Sequence, residues 1–281
     1  MKNINKRLIV SDFDGTLATS DNEVGGEVRS AIERYVSAGG IFAVCTGRML
    51  HSILPRVREI GLKGLVVAYQ GTVIAEIESG KIIKKGCINY SDVAEICRFV
   101  EELKRGCTQF KYGINAYSDE VLYTDISKEN PYLKKYESIT RIDAVSLSTP
   151  MSEFIEDKKY NCQKVTFFVS PQERDYLYGE LINKFGKSFD VTCSAEFLVE
   201  ISPLNDTKGE ALKYIAAHFG IPLSSTVAIG DNLNDLSMIQ AAEIGVAVGN
   251  AVQGLKDAAD EVTVTNNEGA VAKIIEKYGF I

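Results

Sequence analysis

Two carboxylates two residues apart, in the run Asp12-Phe13-Asp14-Gly15-Thr16, follow directly on the short apolar segment Leu8-Ile9-Val10. At the carboxyl end of a parallel strand, where open α/β sheets place their ligands, such a pair can share one cation. The same letters also make an ordinary Asx turn, so the pair gains meaning only from what else the chain brings to it. A second segment, Cys45-Thr46-Gly47-Arg48, ends the apolar run from Ile41, where a hydroxyl and free backbone N–H groups can meet an anion. A threonine capping the next helix is the plainer alternative. In Asp206-Thr207-Lys208-Gly209-Glu210, Thr207 and Glu210 have capping-box spacing, while the charge of Lys208 opposes the positive end of the helix dipole. A nearby anion would offset that cost; a solvated lysine would simply tolerate it. Last, Gly230-Asp231-Asn232-Leu233-Asn234-Asp235 places two carboxylates and an amide between a strand and a helix. That set suits a hard, oxygen-coordinated cation such as Mg²⁺, or an acidic helix cap.

The elements that must position these segments alternate. Leu8 to Val10, a helix around Val28 to Ala38, Ile41 to Cys45 and Leu65 to Tyr69 form one half. Thr207 to Phe219 as helix, Thr226 to Ile229 as strand, a helix after Asp231, then Gly245 to Val248 and Glu261 to Val264 form the other. Continuous apolar strands between helices predict a parallel sheet covered on both faces. Between the halves the texture changes. Helix-period Val93, Ile96, Phe99, Val100 and Leu103 precede strand-like Val121 to Thr124, Lys164 to Val169 and Phe197 to Ile201, with a further helix through Leu177, Leu181, Ile182 and Phe185. The expectation is an α/β, doubly wound core, mostly parallel, at residues 1–81 and 201–281, with an inserted α+β domain at 82–200.

Together, the four strand ends would bring carboxylates, a hydroxyl, a lysine and an amide to one spot, and in that order the chain resembles the haloacid dehalogenase superfamily, specifically the Cof-type phosphatases with a cap domain inserted after the second motif. The resemblance runs from Asp12 to Asp235 and covers essentially the whole chain. It implies a Rossmann-like core and a Mg²⁺-dependent phosphatase of small phosphorylated metabolites, sugar phosphates or phosphorylated cofactors. Asp12 matches the nucleophile that forms an aspartyl-phosphate, and Asp14 the general acid and base. Phe13 through its backbone N–H, Thr46, Gly47, Lys208 and Asn234 match phosphate-binding positions. Asp231, the Asp12 side chain and the Asp14 carbonyl match the metal site, with Asp235 supporting it. Two departures stand out: the group usually has Asn-Gly where this chain has Gln70-Gly71, and a glycine in the loop before the lysine, here Pro203-Leu204-Asn205-Asp206. Arg48 is open between greeting an anionic substrate tail and an internal ion pair.

A phosphosugar mutase of the same superfamily is the enzymatic alternative. It would need clustered arginines in the insert, where Arg98, Arg105, Arg141 and Arg174 read as spread over separate elements. A phospho-accepting signalling module is the distant one, disfavoured by an acceptor on the first strand and by the large insert. The bulk numbers agree with an enzyme: 281 residues, 45% hydrophobic, 25% charged, with a net charge of −7 and no basic block, which argues against nucleic acid. The basic residues between Met1 and Arg7 lead into no long apolar stretch, so neither leader nor membrane span is expected. Six cysteines, at 45, 87, 97, 107, 162 and 193, lack metal-ligand spacing and read as reduced, buried thiols of a cytoplasmic protein. His51 and His218 fall on helices and are assigned no chemistry; Tyr112, Tyr117 and Tyr123 are core or pocket aromatics.

Overall fold

A computed structural model describes residues 7–106 and 112–280. The chain forms two compact units, one up to Lys84 and again from Thr207, the other from Lys85 to Asp206.

The first unit begins β1 (Leu8–Ser11), α1 (Gly26–Ser37), β2 (Ile41–Cys45), α2 (Leu50–Glu59), β3 (Leu65–Ala68), β4 (Val73–Glu76) and β5 (Ile82–Lys85), whose last residue begins the second unit. The second unit continues with α3 (Tyr90–Gly106), β6 (Gly113–Ser118), β7 (Val121–Thr124), α4 (Pro131–Thr140), β8 (Val145–Ser146), α5 (Met151–Lys158), β9 (Lys164–Phe168), α6 (Pro171–Phe185), β10 (Phe189–Ala195) and β11 (Leu198–Pro203). The chain then completes the first unit with α7 (Lys208–His218), β12 (Thr226–Gly230), α8 (Leu236–Ala241), β13 (Ile244–Ala247), α9 (Gln253–Ala258), β14 (Glu261–Val262) and α10 (Ala270–Tyr278).

The eight strands of the first unit run β14-β13-β12-β1-β2-β3-β4-β5. They are parallel from β14 to β3 and turn antiparallel at β4. Every residue of β1, β3 and β12 is buried, because helices cover both faces and no position along these strands meets water. The chain winds from β1 to β2 and β3 on one side, then returns to β12 on the other. The sheet order therefore reverses between β1 and β12, the kind of switch point at which open α/β sheets place their ligands.

The second unit's sheet runs β10-β11-β9-β6-β7-β8, antiparallel except between β7 and β8. Its strands obey a period of two: Ile114, Ala116, Val165, Phe167, Val199 and Ile201 form a core with α3, α5 and α6. Between them stand Asn115, Lys164, Thr166 and Glu200, all buried, with Lys164 Nζ 2.6 Å from Glu200. This polar face hid β6 and β10, whose sequences GINAYS and FDVTCSA carry no clean apolar run. The residue 200/201 boundary read from the sequence falls inside β11, which pairs with β10 through Pro203 opposite Phe189.

Cys45, Cys97 and Cys162 are buried free thiols. Cys87, just past β5, is exposed and Cys193 on β10 is partly so, which corrects the expectation that all are buried; Cys107 lies outside the described residues. Arg98 and Arg105 share α3, contrary to the sequence reading, and Arg98 and Arg174 are engaged by Glu156 and Asp175. Tyr112 and Tyr117 are buried core residues. Among the described residues no helix is long and apolar enough to cross a membrane.

Candidate active site

Asp12 lies just past β1, its N–H donating to Ile229 O of the neighbouring strand at 2.9 Å and its own carbonyl accepting from the Ser11 hydroxyl at 2.7 Å. Its side chain is buried, and Lys208 reaches it from the first turn of α7. The Lys208 side chain is 0% exposed, with Nζ 2.6 Å from Asp12 Oδ1 and 2.5 Å from Asp235 Oδ1. The lysine at a helix N-terminus is thus explained by the two acids that meet its charge. Thr207 caps that helix, accepting from Glu210 N at 3.3 Å.

Asp235 spends its other oxygen on backbone, accepting from the N–H groups of Asp231 at 2.8 Å and Asn232 at 3.1 Å. It therefore ties the turn after β12 to Lys208. Asp231 receives the Thr16 hydroxyl at 3.3 Å and stands directly over Gly15. At Gly15 φ is +74°, and a Cβ would lie 2.5 Å from Asp231 Oδ2, so only glycine lets this carboxylate come so near the first turn. One carboxylate oxygen each from Asp12, Asp231 and Asp235 lie within 4.8 Å of one another.

Three acids around one ammonium leave the site short of positive charge. Burial pushes the Asp12 carboxyl well above its usual pKa; Lys208 opposes this, while Asp235, Asp231 and Asp14 add to it. Asp231 is pushed up to about 7, first by burial and then by Asp235. Burial works to discharge Lys208, but Asp12 and Asp235 outweigh it and keep the ammonium charged.

The carboxylate of Asp14 stands apart from this cluster. Arg48 holds it with two bonds, Nε to Oδ2 at 2.8 Å and Nη2 to Oδ1 at 2.5 Å, and Nη2 also donates to Asn22 Oδ1 at 2.9 Å. The guanidinium lies 4.9 Å above the buried Phe13 ring and is 3% exposed, whereas the Asp14 side chain is 45% exposed. Of the two roles left open for Arg48, the internal ion pair is the one formed. The sequence signal for this residue was its place two residues after Thr46, in the turn that faces the Asp12 loop.

Thr46 does not cap a helix, which corrects the plainer sequence alternative. Helix α2 begins at Leu50 with Met49 as its cap, and the Thr46 hydroxyl instead accepts from Arg48 N at 3.2 Å inside the turn. Its own N–H donates to Val67 O at 3.0 Å. Gly47 faces Gln70, and Gln70 Oε1 accepts from Asn234 Nδ2 at 3.0 Å. Thus Thr46, Gly47 and Asn234 are linked across the ends of β2, β3 and β12. His51 and His218 are exposed on α2 and α7.

The arrangement sets a buried carboxylate, a fixed ammonium and an acidic cluster at the sheet's switch point, with a second carboxylate two residues on. Residues 9–275 match the haloacid dehalogenase-like hydrolase family. A phosphatase of Bacillus subtilis is 28% identical over 293 residues, covering 96% of this chain and 99% of that protein. The 5-amino-6-(5-phospho-D-ribitylamino)uracil phosphatase of Bacillus subtilis is 27% identical over 290 residues, covering 96% and 97%. The solved structure of a haloacid dehalogenase-like hydrolase from Bacillus subtilis superposes with a TM-score of 0.83 at 27% identity, covering 96% of this chain and 99% of that one.

Proposed function

Because the chain belongs to the haloacid dehalogenase-like hydrolase family and is a phosphatase, we propose that it hydrolyses phosphate monoesters of small metabolites through an aspartyl-phosphate on Asp12. In the first step the Asp12 carboxylate attacks phosphorus, the ester P–O bond breaks, and Asp14 gives its proton to the departing alcohol. In the second, Asp14 takes a proton from water as that water attacks phosphorus and the bond to Asp12 breaks, releasing phosphate. One carboxylate pair thereby serves both displacements. The ammonium of Lys208 has three N–H bonds, two of them on Asp12 and Asp235, which leaves one for a phosphoryl oxygen. Thr46, Gly47, Asn234 and the Phe13 N–H complete the set that grips the phosphoryl group.

The observation that carries this reading is the cluster of Asp12, Asp231 and Asp235 around a single buried cation, Lys208. Its missing positive charge and oxygen-only donors fit a divalent Mg²⁺ held by Asp12, Asp231 and the Asp14 carbonyl, with Asp235 bracing the site. Such an ion supplies charge neutralisation for the transferring group. Free thiols at Cys45, Cys97 and Cys162 support a reducing, cytoplasmic setting. The Bacillus relative that acts on a ribityl phosphate supports a phosphorylated metabolite of that kind, chosen by the insert acting as a cap.

The test is phosphate release from an aryl phosphate, then from a panel of phosphorylated metabolites. Activity is expected to vanish in EDTA and return with Mg²⁺. Full activity in excess chelator removes the metal assignment, and no release from any ester removes the reading.

A further inference from the structure

Asn234 is the one side-chain amide in the set proposed to grip the phosphoryl group. A carboxamide can turn either a donor or an acceptor toward an anion, so something has to choose. Its side chain makes a single hydrogen bond among the described residues, from Nδ2 to Gln70 Oε1 at 3.0 Å, while Oδ1 is buried without a partner. The orientation of Asn234 therefore rests on Gln70.

Gln70 occupies its place at a conformational cost. Tyr69 and Gln70 have φ of 52° and 62°, two successive left-handed residues with side chains, followed by Gly71 at 121°. The turn is held there by backbone: Tyr69 N donates to Arg48 O at 2.9 Å and Gln70 N to Thr46 O at 3.0 Å. Gln70 is 4% exposed, and its side chain lies against Gly47 on the other side as well. A Cβ on Gly47 would lie 2.5 Å from its Nε2, so Gly47 is the residue that admits it. One side chain thus spans from the Thr46-Gly47 turn after β2 to the Asn234 turn after β12.

We infer that Gln70 is a positioning residue of the phosphoryl site. It holds the Asn234 carboxamide with its second N–H free for a phosphoryl oxygen, and it sets the spacing between that amide and the Thr46-Gly47 turn. The inference rests on the phosphatase reading above. Gln70 acts through Asn234 and is assigned no contact with substrate. Two variants separate this role from that of a buried filler. Gln70→Met keeps the length and volume and loses the acceptor. Gln70→Asn keeps both polar groups, suits a left-handed backbone better, and falls one methylene short of Asn234.

The measurements are KM and kcat for an aryl phosphate in Mg²⁺, the inhibition constant of inorganic phosphate, and the melting temperature. A misdirected amide weakens ground state and transition state alike, so KM and the phosphate inhibition constant should rise about tenfold, the scale of one hydrogen bond to a charged group. In both variants kcat should stay within about twofold of wild type, and both should melt cooperatively. Wild-type phosphate affinity in either folded variant overturns the inference. So does a fall in kcat and melting temperature with KM and phosphate inhibition unchanged, or loss of cooperative melting in both variants. A wild-type chain that releases no phosphate overturns the phosphatase reading, and this inference with it.

Discussion

Replacing Lys208 by methionine keeps most of its volume and removes the one charge that two buried acids share. Its Nζ is 2.6 Å from Asp12 and 2.5 Å from Asp235, with no exposed side-chain surface through which water could take its place. Removing one partner of a buried ion pair costs about 3–5 kcal/mol, because the other charge is left uncompensated. Two acids are orphaned here, yet Asp12 can take a proton, so a loss of about 4 kcal/mol is expected near neutral pH. At about 2–4 °C per kcal/mol this lowers the melting temperature by about 10 °C. The pH dependence has a definite sign. Asp12 is already held well above 3.8 in the folded chain, and without the ammonium it rises further. Between the unfolded and folded pKa values the folded variant keeps a proton that the unfolded chain has lost, so its stability falls as pH rises through that window. The deficit against wild type should therefore shrink on acidification and be largest on the alkaline side. Urea unfolding followed by circular dichroism in EDTA at about pH 5 and about pH 8 reads it directly. A loss below about 1 kcal/mol at the higher pH, or one that does not shrink at the lower, refutes the picture of a buried ammonium balancing two carboxylates.

Asp231, raised to about 7, must shed its proton to bind a cation, so the Mg²⁺ concentration for half-activation should rise about tenfold for each pH unit of acidification below 7 and stay level above it; a flat profile from acid to neutral pH contradicts that assignment. Asp12→Asn should yield neither phosphoryl-enzyme nor product. By contrast Asp14→Asn should slow hydrolysis of an alkyl phosphate at least about 10²-fold and, with an aryl phosphate, accumulate an acid-stable, hydroxylamine-labile label on Asp12; no label together with an active Asp12→Asn reverses the roles. Gly15→Ala drives a Cβ to 2.5 Å from Asp231 in a left-handed backbone, so it should cost about 1–3 kcal/mol of stability and weaken Mg²⁺ activation, and an unchanged urea midpoint would show that the turn yields freely.

What the sequence by itself determined was the set of strand ends. Leu8–Val10, Ile41–Cys45 and Thr226–Ile229 announce themselves as continuous apolar runs because parallel strands are buried on both faces, and three of the four chemical segments follow such a run, whereas Lys208 opens α7 after β11 of the other sheet. The second unit was harder to read. Buried polar groups alternate with apolar ones in both β6 and β9, but β9 ends on Phe167 and Phe168 and still reads as a strand, whereas GINAYS in β6 has only Ile114 and Ala116 on its core face and does not. Tertiary structure alone decided who meets whom. Lys208 lies 196 positions from Asp12 and 27 from Asp235, and nothing local in Thr207-Lys208-Gly209 says that its charge will end between two carboxylates. Arg48 could equally have faced solvent until β1 and β2 paired and set it against Asp14, and Gln70 meets Asn234 only because the turns after β3 and β12 come together at one end of the sheet, past the intervening β1 and β2. Local pattern encodes burial, because each residue carries its own transfer energy; pairing depends on strand order, a property of the whole chain that no window of sequence contains.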